Sequence, residues 1–303
     1  MGKGKLLKGM GKYKLIYLLT VPGALFYIIF AYSPMYGIQL AFKEYVANLG
    51  IIGSPWTGLD NFRYVAVDEG FLLSLKNTLI ISFMRICLDF PIPIIMAIFF
   101  NELRSKKYKS ILQTVYTFPH FLSWVIVSGI MINLLGNSGV VNNILNVMGF
   151  PKANLLMNKS IFRYLLVYSA SWKESGWSMI IYLAAISGID STLYEAATVD
   201  GANRFHKMIH ITWPGIREMV IVMLILAVGN AMNAGFDQIL NMYNPAVYSA
   251  SDILDTYIYR MTFEKGMPFE VSTVIGLFKG ITNSVLLLGA NYFAKLLGGR
   301  GLV

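Results

Sequence analysis

One cysteine, Cys87, is the chain's whole stock of thiol, so neither an intrachain disulfide nor a cysteine zinc cluster is available to it. It sits in an apolar run, where a free thiol acts as a small hydrophobe. Histidine is as scarce. Of His120, His206 and His210 only the last two are close in sequence, which is no metal set. Charge is sparse too, at 14% of 303 residues against about a quarter in a soluble domain. The phosphate loop Gly-x-x-x-x-Gly-Lys-Ser/Thr is absent, since Gly9-Met10-Gly11-Lys12 fails on spacing and on Tyr13. No nucleophile sits beside a base in a recognisable pattern. These absences exclude a disulfide scaffold, a metal or cofactor site and a nucleotide-hydrolysing centre within the chain, and they argue against an enzyme.

What is abundant is apolar side chain, 56% of residues, more than one soluble core of this length can hide. Six apolar runs are long enough to cross a bilayer: Leu15–Leu40, Leu72–Phe100, Ile111–Leu135, Ile161–Ser187, Glu218–Leu240 and Val271–Leu297. Backbone groups in lipid must be satisfied internally, and the runs lack a period of two, so the expected fold is all-α, integral to the membrane, with six transmembrane helices. Five lysines before Leu15 mimic a signal peptide, but the run continues to about Leu40 with no small-x-small cleavage site, so it reads as a retained first span. The net charge of +9 gathers beside the apolar runs instead of spreading over one face, which argues against nucleic acid. With the N-terminus in the cytoplasm, fourteen Lys and Arg fall on cytoplasmic segments and six on external ones. Both termini are therefore expected inside. Residues 1–71 read as an N-terminal tail, first span and external loop, and residues 72–303 as a five-span core. The long external connections are Ala41–Phe71, Gly136–Ser160 and Asn241–Glu270.

One polar, helix-forming stretch on the cytoplasmic side, residues 190–216, interrupts this pattern. Asp190 and Ser191 are placed to cap a helix through Leu193, Glu195, Ala196, Ala197 and Val199. After Asp200, Gly201 breaks it. Phe205, Met208 and Ile209 form an apolar stripe on a second short helix, and Pro214 stops or kinks that helix before the fifth run. The glycine six residues after Glu195, the isoleucine ten later (Ile211) and the proline three further resemble the EAA loop of binding-protein-dependent ABC importer permeases. Trp213 departs from it, standing where leucine is usual. The resemblance covers the second span to the sixth. Within the superfamily, Ser33-Pro34-Met35-Tyr36-Gly37 and Asn61-Phe62 are similar to a subgroup for polysaccharide-derived oligosaccharides.

The resemblance implies a type I importer permease core in a prokaryotic cell membrane. It implies coupling to a partner ATPase through Glu195, Ala196, Ala197, Asp200, Gly201, Phe205, Met208 and Pro214. Two ATP-binding subunits would carry the ATP and magnesium, a second permease subunit, expected to be a different chain, would complete the channel, and an extracellular solute-binding protein would deliver the cargo.

Polar groups inside spans are costly and are site candidates by default. The fourth run offers Trp172, Glu174, Ser175 and Trp177 beside Lys173 and Ser178. The fifth offers Asn230, Asn233 and Asp237 on one helical face. Aromatic faces and planar hydrogen-bonding groups suit sugars. The competing reading is that these groups hold helices together. Arg85 and Asp89 are spaced as an i,i+4 pair, and Pro91 and Pro93 as a kink. Two other functions stay open: an importer of the same class for another small solute, and an ATPase-independent secondary transporter. The latter would show paired broken helices or an inverted repeat, and neither is evident in the sequence.

Overall fold

The computed structural model describes residues 13–296 and Gly301. The lysines at 3, 5, 8 and 12, Leu297 and Arg300 lie outside the described residues. Every regular element among the described residues is helical, and Lys43 pairs with Trp56 only as an isolated antiparallel bridge. The chain divides into two compact units, one holding Met1–Ala66 and Gly266–Leu277, the other Val67–Lys265 and Phe278–Val303.

In the first unit, helix α1 runs Lys14–Phe42 and none of its most apolar window is buried. The segment after it folds into a compact cap. Lys43 is buried, with Nζ donating to the carbonyls of Ile51 (2.7 Å) and Ile52 (3.0 Å) and lying 4.7 Å from the Trp56 ring centre. The Asn61 amide donates to the carbonyls of Ala41 and Lys43, and the Phe42 and Phe62 rings meet at 5.1 Å. An ammonium taken from water needs such partners, and here the carbonyls of a turn supply them.

The second unit is built around one helix. We label α2 Glu69–Asn101, α3 Lys106–Thr117, α4 Trp124–Leu135, α5 Lys159–Ser187, α6 Ser191–Val199, α7 Arg204–Gly229, α8 Phe236–Met242 and α9 Phe269–Leu296, of which the part to Leu277 counts with the first unit. Helix α5 packs against α2, α3 and α7. Its apolar side joins two buried clusters. Phe162 and Leu166 meet Ile81, Ile239 and Met242, while Met179, Tyr182, Leu183 and Ile186 meet Ile94, Ala97, Phe100 and Ile216. Gly176 allows the closest approach, since a Cβ there would collide with the Tyr116 carbonyl of α3.

Five helical runs among the described residues are long and apolar enough to cross a membrane: Lys14–Phe42, Glu69–Asn101, Trp124–Val147, Arg204–Gly229 and Phe269–Leu296. Helix α5 is long enough, roughly 43 Å for its 29 residues, but carries Arg163, Lys173 and Glu174.

Two expected spans are broken. The third run divides into α3 and α4 at a tight turn, Phe118–Phe121, where Pro119 removes a backbone donor and Ser123 caps α4. The fifth divides after Gly229: a short turn over Ala231–Asn233 leads to left-handed Ala234 (φ 42°) and Gly235 (φ 91°), and α8 follows. Neighbours satisfy the freed backbone groups. The Ser82 hydroxyl donates to the Ala231 carbonyl, and Asn283 Oδ1 accepts from Met232 N–H at 3.0 Å. Irregular backbone is tolerated at membrane depth where protein covers it.

Candidate functional site

The break in the fifth run opens a cavity of about 450 Å³ between α2, α5 and α7. Asn230, Asn233, Glu174 and Ser175 line it, together with Ser82, Arg85, Asp89, Ser178 and Tyr182. Trp172, Trp177 and Asp237 are not among its lining residues. The single helical face expected for Asn230, Asn233 and Asp237 does not exist, because the helix ends between them.

Arg85 does not pair with Asp89: no ion pair joins them among the described residues. The backbone from Arg85 to Asp89 is a π turn, whose wider pitch unstacks positions four apart. The Arg85 guanidinium instead lies against Gly235, where any side chain would displace it, and donates to Gln238 Oε1. Gln238 donates in turn to the Leu166 carbonyl (2.7 Å) and to Ser169 Oγ (2.8 Å) of α5. Arg85 Nε is buried and meets no acceptor among the described residues.

Across the cavity, Glu174 bridges two elements. Its Oε1 takes Lys173 Nζ at 2.7 Å and its Oε2 lies 2.6 Å from His120 Nδ1, in the turn that breaks the third run. Lys173 Nζ also donates to the His120 carbonyl at 2.9 Å. The His120 ring stacks on Trp177, with centroids 4.7 Å apart and planes 4° off parallel. Trp177 thus clamps the broken span to α5. The sequence reading missed His120 and Arg85 as members of this site. Arg85 had a signal, a cation in an apolar run. His120 stands 54 residues from Glu174 and had none.

The second constellation is the polar loop. Asp190 caps α6 by accepting from Thr192 N–H at 2.9 Å, and that bond holds its carboxyl below the usual range. The helix closes on Gly201 (φ 77°), with Ala202 N–H reaching the Ala197 carbonyl and Gly201 N–H the Thr198 carbonyl. That double closure needs a left-handed residue, which glycine supplies. Asn203 then caps α7. The expected separate second helix is instead continuous with the fifth run: a π turn, Met208–Thr212, carries Arg204–Lys207 into Trp213–Gly229, and Pro214 follows directly on that π turn. Tyr194 Oη to Thr212 Oγ1 (2.9 Å) and Lys207 Nζ to Thr198 Oγ1 (2.6 Å) lock α6 onto α7. Glu195, Ala196, Asp200, Gly201, Phe205 and Pro214 are exposed, while Ala197 and Met208 are half-buried. Glu195 borders a cleft of about 540 Å³ with Glu102, Arg104, Arg204 and Lys207. The loop is thus a rigid bracket between α5 and α7 with an uncovered outer face.

The sequence profile of binding-protein-dependent transport system inner membrane components matches residues 89–298, which take in the polar loop and the cavity lining apart from Ser82, Arg85 and Ile86. The chain belongs to that family. It is a multi-pass membrane permease of a transport system and not an enzyme. It is 40% identical over 290 residues to the polygalacturonan/rhamnogalacturonan transport system permease protein YteP of Bacillus subtilis, covering 95% of this chain and 90% of that one. Protein LplB of the same organism is 41% identical, covering 95% and 91%. Among solved structures, a bacterial ABC transporter involved in import of the acidic polysaccharide alginate superposes with a TM-score of 0.89 at 36% identity, covering 97% of this chain and 99% of that one. The same transporter type is known in complex with an alginate pentasaccharide-bound periplasmic protein, again at TM-score 0.89. The permease family decides what the broken helices alone do not, since discontinuous spans also occur in ATPase-independent transporters.

Proposed function

We propose that this permease imports an oligosaccharide, with the cavity at the break of the fifth run as its midplane binding site. The observation that carries this reading is the lining itself: the polar residues Asn230, Asn233, Ser175, Ser178 and Asp89 share one largely apolar space inside a membrane protein. Carbohydrate hydroxyls need such paired donors and acceptors, and two of the relatives named above are described as transporting polysaccharides. Trp172, Trp177 and Asp237 would act from its margins. In this reading α5 is the fourth span and brings the number to six, tolerated in lipid because its charges turn inward, and both termini are cytoplasmic. Residues 72–303 form the five-span core, and 1–71 an appended first span and external loop.

The loop 190–216 is then the coupling element. Glu195, Ala196, Ala197, Asp200, Gly201, Phe205, Met208 and Pro214 would dock onto an ATP-binding subunit. Because α6 is locked to α7 and anchored to α5, rigid-body movement at the loop reaches both walls of the cavity. Two such ATPases, a second permease of different sequence and an external solute-binding protein complete the machine. The test is affinity purification of the tagged chain from its native membrane, followed by a carbohydrate screen of the co-purified binding protein. An ATPase, a second permease and a sugar-specific binding protein support the proposal. Recovery of the chain alone under several mild detergents refutes it.

A further inference from the structure

Helix α5 carries a feature that the cavity does not explain. Its exposed large side chains are Tyr164, Tyr168, Trp172 and Trp177, and none of its leucines, isoleucines or valines is exposed. The lipid-type surface of α2, with exposed Leu72, Leu79 and Phe83, looks quite different. Tyr164, Tyr168 and Trp172 are 52%, 55% and 46% exposed. Spaced four apart, they fall within an arc of roughly 80° and climb about 12 Å along the helix. Ser175 and Tyr182, which line the cavity, project within or at the edge of the same arc farther along α5. Neither tyrosine hydroxyl has a hydrogen-bond partner among the described residues. An unpaired phenol in hydrocarbon is costly, so this face meets water, a polar ligand or a hydrogen-bonding partner subunit.

We infer that Tyr164, Tyr168 and Trp172 form an aromatic ladder that holds the second and later sugar rings of the cargo, so that it selects chain length. A pyranose has apolar C–H faces and a hydroxyl rim. One ring per helical step lets each face stack on an aromatic while the rim bonds a tyrosine hydroxyl. The inference rests on the carbohydrate reading above. It differs from that reading in placing contacts outside the cavity, and it sets length where the cavity sets only sugar type.

The experiment compares uptake of two- and four-residue saccharides by the whole transporter in cells, over oligogalacturonates, oligoalginates and arabinooligosaccharides. Wild type is measured beside Tyr164→Ala/Tyr168→Ala and Tyr164→Phe/Tyr168→Phe. The double alanine variant is expected to lower the tetrasaccharide-to-disaccharide uptake ratio about tenfold, the loss of two modest stacking contacts. The double phenylalanine variant, which keeps the rings, is expected to retain most of the ratio. An unchanged ratio in the alanine variant overturns the ladder. Equal loss at both lengths also overturns it and assigns the face to packing, which reduced co-purification of the second permease would confirm. If wild type takes up no saccharide of either length, the carbohydrate reading falls and the ladder with it.

Discussion

Gly201 separates the cost of a fold from the cost of a contact. Its φ of 77° closes α6, yet nothing lies within 4 Å of a Cβ built there. A substitution at this point therefore carries only the backbone penalty of a left-handed L-residue, about 1–2 kcal/mol. Asn and Asp bear that conformation best. Against a domain stability of about 5–15 kcal/mol, Gly201→Asn and Gly201→Asp should both fold and reach the membrane. The two differ by one charge, set beside exposed Asp200. If this face is buried against an ATPase, an unpaired carboxylate there costs roughly 2–5 kcal/mol of docking, which is at least tenfold in affinity. The expected result is that Gly201→Asn keeps most solute uptake while Gly201→Asp loses it, with both at wild-type level by membrane immunoblot. Uptake by the aspartate variant equal to that of the asparagine variant would refute the coupling role. Loss of both from the membrane would refute the claim that the turn itself is cheap to perturb.

Gly176→Ala should drive α3 from α5, because the colliding atoms are backbone and cannot rotate away; a loss of about 1–3 kcal/mol would lower the melting temperature of the solubilised protein, and an unchanged melting curve would contradict the close approach. Arg85→Met removes the cation that holds Gln238 beside the break and should cost about 2 kcal/mol together with most uptake, while Gln238→Leu should act in the same direction and less than additively with it; additive effects would mean the two do not share a network. Asp255 takes Lys279 Nζ through both oxygens, at 2.6 and 2.7 Å, with each side chain about one-fifth exposed, so a double-mutant cycle with alanine at both positions should return a coupling of about 1–3 kcal/mol, and a value near zero would remove the pair from the account of stability. The Asp190 cap is worth most when ionised: its folded pKa is depressed by the Thr192 N–H, so its contribution is present above the ordinary aspartate value and is lost as pH falls through the depressed one. Amide exchange in α6 should therefore quicken in acid for the native protein, and Asp190→Asn should flatten that dependence.

Much of this protein was legible from order and composition alone. Apolar runs of membrane length require helices, because lipid offers no partner to the backbone. The spacing from Glu195 through Gly201 to Pro214 located the loop, because cap, left-handed turn and helix are set by neighbours in sequence. What the sequence by itself did not determine was where long apolar runs stop being helical. Pro119 and Ser123 mark the break in the third run locally, but nothing local to Asn230 demands one in the fifth. That break persists because Ser82 and Asn283, far away in the chain, satisfy backbone groups that the interruption leaves open. For the same reason Arg85 left its i,i+4 neighbour for Gln238, and Glu174 found His120: a buried charge goes to the partner that tertiary packing brings within reach, and sequence distance places no limit on which one that is.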